Sequence, residues 1–315
     1  MKHTLPLIAF LLSGISNHVH SASYTLENTY KKLKPRYSEL HLPDDSPISN
    51  LNVEQHTYPG KLRSQSITII RPNNNTVLPL IVLVHGGGWG SGSPAILQTL
   101  AAKLAAKGFV VATPAYTLSD EAQYPASIHD IALATQWLKS NASRFHLNAE
   151  KLTLAGSSAG GQIAALLAYS HGKLLNQSAS LAVNARVLIN IDGLSDFTTP
   201  LALRYENDKN KAVTSASKWL GGRYEEVPAI WQHASPINYI SNTSPATLFI
   251  NGGFARFYAG KKTVQEQLTE RGITNKEHVF KEAPHCFWLF HPWQNNTVEL
   301  ISEFINKQLA VDPSR

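Results

Sequence analysis

Short apolar runs bounded by turn residues recur along the chain, at 66–70, 80–84, 109–113, 152–155, 187–191, 247–250 and 278–280. Uninterrupted apolar runs of this length predict strands covered on both faces rather than strands with one wet side. Helical spacing fills most of the gaps between them. Residues 95–107 are rich in Ala and Leu and stop before Gly108, a helix C-cap position. Residues 126–139 set Ile128, Ile131, Ala132 and Leu138 on one face, with Thr135 the one polar residue there. Residues 159–170 are small and apolar, and 261–270 and 298–309 complete the helices. Strands alternating with helices predict the α/β class, a mostly parallel sheet flanked by helices.

Two stretches break this alternation. Residues 194–244 carry Tyr205, Trp219, Tyr224 and Trp231 and are expected to form a small cap or lid beside the site. Residues 23–64 are polar, with several prolines, and are expected to wrap the surface. There is no internal repeat and no low-complexity linker, so residues 23–315 read as a single domain.

Composition narrows the picture further. With 315 residues, 43% hydrophobic and 16% charged, the chain has the make-up of a folded domain rather than a disordered one. Its single cysteine, Cys286, excludes an internal disulfide and a thiolate-based structural metal site. The N-terminus has the layout of a secretory signal over residues 1–22. Met1, Lys2 and His3 form a basic start, 5–15 is apolar but too short to span a bilayer, and small residues follow at Ser21, Ala22 and Ser23. The alternative is an apolar first helix or strand of the domain, and Pro6 and Gly14 would weaken a core helix. An exported chain without disulfides points to a bacterial periplasm or exterior. No other segment reads as transmembrane, so no membrane association is expected once the signal is removed. The formal charge of +6 falls by one on that removal, since Lys2 is the only charged residue lost. That excess is ordinary for a chain of this size and favours an anionic substrate only mildly.

The strongest chemical signal is Gly156-Ser157-Ser158-Ala159-Gly160-Gly161, lying between the run 152–155 and the helix 159–170. A G-x-S-x-G sequence between a strand and a helix is the layout of a nucleophile elbow, and it makes Ser158 the candidate nucleophile. A glycine-rich structural turn is the competing reading. The second signal is His85-Gly86-Gly87-Gly88-Trp89, directly after the run 80–84. Three glycines let backbone N–H groups converge on a developing oxyanion, and Gly87, Gly88 and Ala159 are the candidate donors. A phosphate-cradling loop is excluded because no Lys-Ser/Thr follows. His85 is expected to be structural. Trp89 is a candidate substrate-binding platform for a sugar or, equally, a packing residue.

A serine nucleophile needs a base. His285, in Ala283-Pro284-His285-Cys286, follows the last strand and precedes the last helix, the place expected in the chain order serine, acid, histidine. A core histidine is the alternative role, and His291 is the rival base. Cys286 is expected to be a buried packing residue, since a side chain adjacent in sequence cannot readily face the same imidazole.

With these residues in view, the chain resembles α/β-hydrolases of the hormone-sensitive-lipase-like and bacterial feruloyl/acetyl-esterase-like groups. The resemblance covers most of 66–309 and rests on HGGGW, Ala115–Leu118, Tyr124-Pro125-Ala126, Asp130, GSSAGG and the PHCFWLFHPW tail. The exported format and that tail are similar to the periplasmic pectin acetylesterases. The resemblance implies an α/β-hydrolase fold and a serine esterase. Its expected reaction is removal of acetyl groups from plant cell-wall polysaccharides or oligosaccharides, pectin favoured. It implies no metal and no organic cofactor, and an acetylated oligosaccharide or other small ester as the substrate. No nucleic-acid motif is present, and no feature specifies an oligomeric state.

The chain departs from these relatives at one position. Their triad acid usually follows the strand that is here 247–250, but no Asp or Glu occurs from Asn251 to Gln265. The neighbouring strand ends in Asp192-Gly193-Leu194-Ser195-Asp196, and some lipases imply that a carboxylate there can reach the same histidine. Asp192 is the candidate acid and Asp196 the runner-up, whose other role would be to cap the next turn. Asp130 is expected to anchor its own helix. Two other readings stay open: a broad carboxylesterase or lipase, with 194–244 supplying an apolar acyl pocket, and a non-catalytic carbohydrate-binding protein, motivated by the missing acid.

Overall fold

Eight strands form one sheet in the order β1-β2-β4-β3-β5-β6-β7-β8. The computed structural model describes residues 24–43, 48–175 and 181–310. The strands are β1 (Leu51–Pro59), β2 (Ser64–Pro72), β3 (Leu78–Val84), β4 (Val110–Pro114), β5 (Leu147–Ser157), β6 (Val187–Ile191), β7 (Ala246–Asn251) and β8 (Asn275–Val279). β1 pairs antiparallel with β2, and β2 antiparallel with β4; every other pairing is parallel. This is an α/β-hydrolase architecture.

The central strands are largely apolar because both their faces are covered. Along β3, Leu80, Val82 and Val84 join one hydrophobic cluster, while Ile81 and Leu83 join the other. Alternate side chains of a strand point to opposite faces, so one apolar run feeds both cores. The first cluster includes residues of α3 (Ala126–Ser140), α4 (Ala159–Ser170) and α8 (Lys261–Glu270). The second includes residues of α2 (Gln98–Ala106) and α9 (Trp293–Leu309). Every residue of α4 is buried, which is why its sequence is apolar around its whole circumference.

The structure departs from the sequence expectations mainly at the periphery. The polar stretch 23–64 supplies two regular elements, α1 (Leu26–Leu33) and β1. In β1 only Tyr58 is buried; an antiparallel edge strand satisfies its backbone on β2 and needs no apolar run. β8 spans Asn275–Val279 rather than 278–280; it too is an edge strand and equally polar. α9 begins at Trp293, five residues earlier than its periodicity suggested. Residues 194–244 fold as α5 (Pro200–Glu206), α6 (Ser215–Leu220) and α7 (Pro228–His233), and Trp219 and Trp231 sink completely into the first cluster. The segment 1–22, expected to be a signal, lies outside the described residues. Among the described residues, no helix is long and apolar enough to cross a membrane.

The C-terminal ends of β3, β5 and β6 lie side by side, so the residues that follow them meet above one edge of the sheet. In open α/β sheets that edge is where ligands bind.

Candidate active site

β5 turns sharply into α4 at Ser158, whose φ of 54° and ψ of −124° are sparsely populated for a residue with a side chain. The turn survives because its neighbours leave room. A Cβ on Gly156 would collide with the carbonyl of Gly160, and one on Gly160 with the carbonyl of Val84. The Ser158 N–H donates to Ile191 O at 2.8 Å, which ties the elbow to β6. The side chain then projects to His285, with Ser158 Oγ 3.0 Å from Nε2. The other ring nitrogen, Nδ1, lies 2.9 Å from Oδ2 of Asp192. One tautomer satisfies both contacts: Nδ1–H donates to the carboxylate, and Nε2 accepts from the serine hydroxyl.

Asp192 directly follows β6 and adopts φ 47°. Its carboxylate is buried, a costly position for a charge unless donors surround it. Those donors are present. Oδ1 accepts from the Gly252 N–H at 2.9 Å and from the Asn251 side-chain amide at 3.3 Å. Asn251 is oriented in turn by Lys261, whose Nζ donates to its Oδ1 at 3.1 Å and pairs with Glu277 at 2.7 Å. The imidazole itself is held on two sides. Phe257 stacks on it with centroids 3.5 Å apart and planes 9° apart, and Trp288 meets it edge-on at 5.1 Å.

The loop after β3 folds back on itself, with the Gly87 carbonyl accepting from the Ser91 N–H at 3.0 Å and from Ser91 Oγ at 2.8 Å. Gly87 has φ +125° and Gly88 φ +58°, values that favour glycine. Gly87, Gly88 and Ala159 border the same cavity as Ser158, a volume of about 520 Å³. Their N–H groups donate to no protein acceptor among the described residues, as an oxyanion site requires. α1, α6 and the 3-10 turn Ala255–Tyr258 complete the walls, through Asn28, Lys32, Ser215 and Arg256 among others.

Residues 67–256, more than half of the chain, match the BD-FAE family. The chain belongs to the BD-FAE family. Curated relatives of this BD-FAE chain include esterase LipC of Mycobacterium tuberculosis, 27% identical over 183 residues, covering 55% of this chain and 43% of that protein. The chain therefore spans less than half the length of LipC. The AB hydrolase superfamily protein C1039.03 of Schizosaccharomyces pombe is 25% identical over 282 residues, 86% of this chain and 81% of that one. The ethyl acetate hydrolase of Pseudomonas putida is 28% identical over 212 residues, 65% of this chain and 64% of that one. Among solved structures, the Pyrobaculum calidifontis esterase superposes with a TM-score of 0.70 at 25% identity, covering 91% of this chain and 92% of that one.

Other candidates of the BD-FAE chain take different places. Asp196, the runner-up acid, is turned away from the imidazole: its Oδ1 accepts from the N–H and the hydroxyl of Thr198, both at 2.7 Å, and caps that turn. Trp89 borders the cavity but offers no open face to a sugar. Its ring is buried, stacks on Trp219 at 4.9 Å, and donates its indole N–H to Gln162 at 2.9 Å. It is a packing residue that anchors the glycine loop to α4 and α6. His85 is a packing residue too. It stacks on Tyr116 at 4.3 Å, and burial pushes its pKa down to about 4, so it stays neutral. His291 exchanges backbone hydrogen bonds with His41 instead of approaching Ser158. Asp130 ties α3 to other segments: it accepts from the Lys61 and Thr117 N–H groups at 2.6 and 2.7 Å. The Cys286 thiol is buried beside the Tyr24 hydroxyl, and burial raises its pKa to about 12, which keeps it protonated and non-nucleophilic. Among the described residues, no cluster of His, Cys, Asp and Glu could hold a metal ion.

Sequence reasoning missed Asn251, Gly252 and Phe257, all in the stretch noted only for its lack of a carboxylate. It also missed α1 as a cavity wall; the one local signal there is the Thr25 side chain accepting from the Asn28 N–H as an N-cap.

Proposed function

We propose that this BD-FAE chain is a serine carboxylic-ester hydrolase. The observation that carries the reading is the continuous hydrogen-bonded line Ser158–His285–Asp192 on the floor of a cavity bordered by free backbone N–H groups. Ser158 Oγ attacks the acyl carbon while its proton passes to His285 Nε2. The carbonyl oxygen becomes an oxyanion facing Gly87, Gly88 and Ala159. Asp192 holds the ring in its productive tautomer and stabilises the imidazolium. The imidazolium then protonates the leaving alcohol, and water activated by the same histidine releases the acid from Ser158.

For the substrate, the reading is a short acyl group, acetyl first, on a polar alcohol such as a plant cell-wall oligosaccharide, pectin favoured. It is supported by the polar side chains of Asn28, Ser91 and Ser215 within a mixed cavity wall, and by a relative named as an ethyl acetate hydrolase. Acetate release from acetylated pectin, xylan and oligosaccharides tests it, set beside turnover of p-nitrophenyl esters of rising chain length. Acetate-only turnover with release from a sugar polymer supports the reading. Activity that rises with acyl length, without release from any polymer, selects a broad carboxylesterase, which the relatives named simply as esterases favour. The non-catalytic alternative loses its motive, because Asp192 stands where an acid is needed. Export through residues 1–22 belongs to the same proposal.

A further inference from the structure

The stretch after β7, which lacks the carboxylate its relatives carry, places an aromatic ring flat against the candidate base. Phe257 and His285 stand 3.5 Å apart between centroids with planes 9° apart, so the rings overlap with almost no lateral offset. Two neutral aromatic rings disfavour that overlap because their quadrupoles repel; they prefer an offset or an edge contact. A cationic ring reverses the sign, since its charge is attracted to the π face. The arrangement therefore suits an imidazolium better than a neutral imidazole.

Phe257 is itself held in place. It sits on the 3-10 turn Ala255–Tyr258. The Arg256 guanidinium carbon lies 4.6 Å from its ring centroid and 4.7 Å from that of Tyr205. Glu206, 2.8 Å from the guanidinium, offsets the Arg256 charge, so the cation does not oppose a second one forming at His285. Trp288 presents a ring at 84° to the imidazole, which limits the freedom left by the stack.

We propose that Phe257 is a positioning residue for the reaction: its ring holds the His285 imidazole in line with Ser158 and Asp192 and favours the imidazolium that forms as Ser158 attacks. The inference rests on the ester-hydrolase reading. In the step concerned, the Ser158 O–H bond breaks, its proton becomes the Nε2–H of His285, and the freed electron pair forms the Oγ–C bond to the acyl carbon. The charge on the imidazole changes from zero to +1 while Phe257 stays in contact with it. Because the gain arises only when that charge develops, it appears in turnover and not in substrate affinity.

The test compares Phe257→Leu, which keeps an apolar side chain but removes the π face, with Phe257→Tyr, which restores it. In the full chain acting on p-nitrophenyl acetate, Phe257→Leu is expected to lower kcat about 10- to 30-fold. Its KM should stay within about threefold, and Phe257→Tyr should recover most of the loss. A second readout needs no substrate. The downfield proton resonance of the His285 Nδ1–H bonded to Asp192 should persist in wild type and Phe257→Tyr and broaden or vanish in Phe257→Leu. Unchanged kcat with an unchanged resonance in Phe257→Leu overturns the role assigned to Phe257, as does a loss confined to KM. Absence of turnover in wild type overturns the ester-hydrolase reading alone, and the resonance still decides the part played by Phe257.

Discussion

Asn251, the last residue of β7, donates its side-chain amide to Asp192, the first residue after β6, at 3.3 Å. The preceding residues of the two strands, Ile191 and Ile250, are register partners, so the sheet itself brings the pair together. Where the resembling esterases carry their acid, this chain carries a donor that serves an acid on the next strand.

The first prediction concerns that acid. Asp192→Asn should lower kcat by about 10⁴, because the amide no longer holds the productive tautomer of the imidazole. Asp196→Asn should leave kcat within about threefold and weaken the Thr198 turn by about 1 kcal/mol. Steady-state kinetics and thermal unfolding of both variants check this; a larger kinetic loss in Asp196→Asn reverses the assignment.

The two serines of the elbow should separate just as sharply. Ser158→Ala should reduce kcat by about 10⁶, leaving only what oxyanion donors and binding supply. Ser157 is fully buried and its Oγ makes no hydrogen bond within the described residues, so Ser157→Ala should keep most activity. A comparable loss in both folded variants removes Ser158 as the nucleophile.

His85 gives stability a pH dependence. Burial lowers its folded pKa to about 4, below the ordinary value of 6.5. The unfolded chain therefore takes up this proton first as pH falls, and the stabilisation present above about 6.5 is lost progressively down to about 4. The full difference corresponds to about 3 kcal/mol. Urea unfolding from pH 7 to pH 4 should show this slope together with smaller contributions in the same direction from His129, His171 and His233, and a folded His85→Gln variant should have a shallower one; equal slopes in the two proteins refute the attribution.

Residues 1–22 should be absent from the mature protein. Mass spectrometry of the chain recovered from its native host should find a start near Ser23 in a fraction outside the cytoplasm. Recovery of an intact Met1 in the cytosol rules out the signal.

Ser158 and His285 were legible in the chain because their signals are local. A serine flanked by glycines between an apolar run and a small-residue helix describes one tight turn, and the crowding that demands Gly156 and Gly160 arises within that turn and the adjacent strand end. The central strands were legible for a related reason: burial on both faces leaves few polar positions, such as Asn190, to obscure the run. The edge strands β1 and β8 were not, since an edge needs only a backbone partner and places little demand on its side chains.

The sequence by itself determined the α/β class, the elbow at Ser158, the glycine loop after β3 and the histidine at the last turn. Each is a demand that neighbouring residues place on one another. Only the tertiary structure put Asp192 and not Asp196 against His285, packed Trp89 on Trp219, brought α1 to the cavity and set Phe257 against His285. Those outcomes depend on which strands lie side by side and on which aromatic rings meet across elements more than 25 residues apart in the chain. Periodicity reports how a segment faces its own surroundings; it carries no record of which distant segment supplies them.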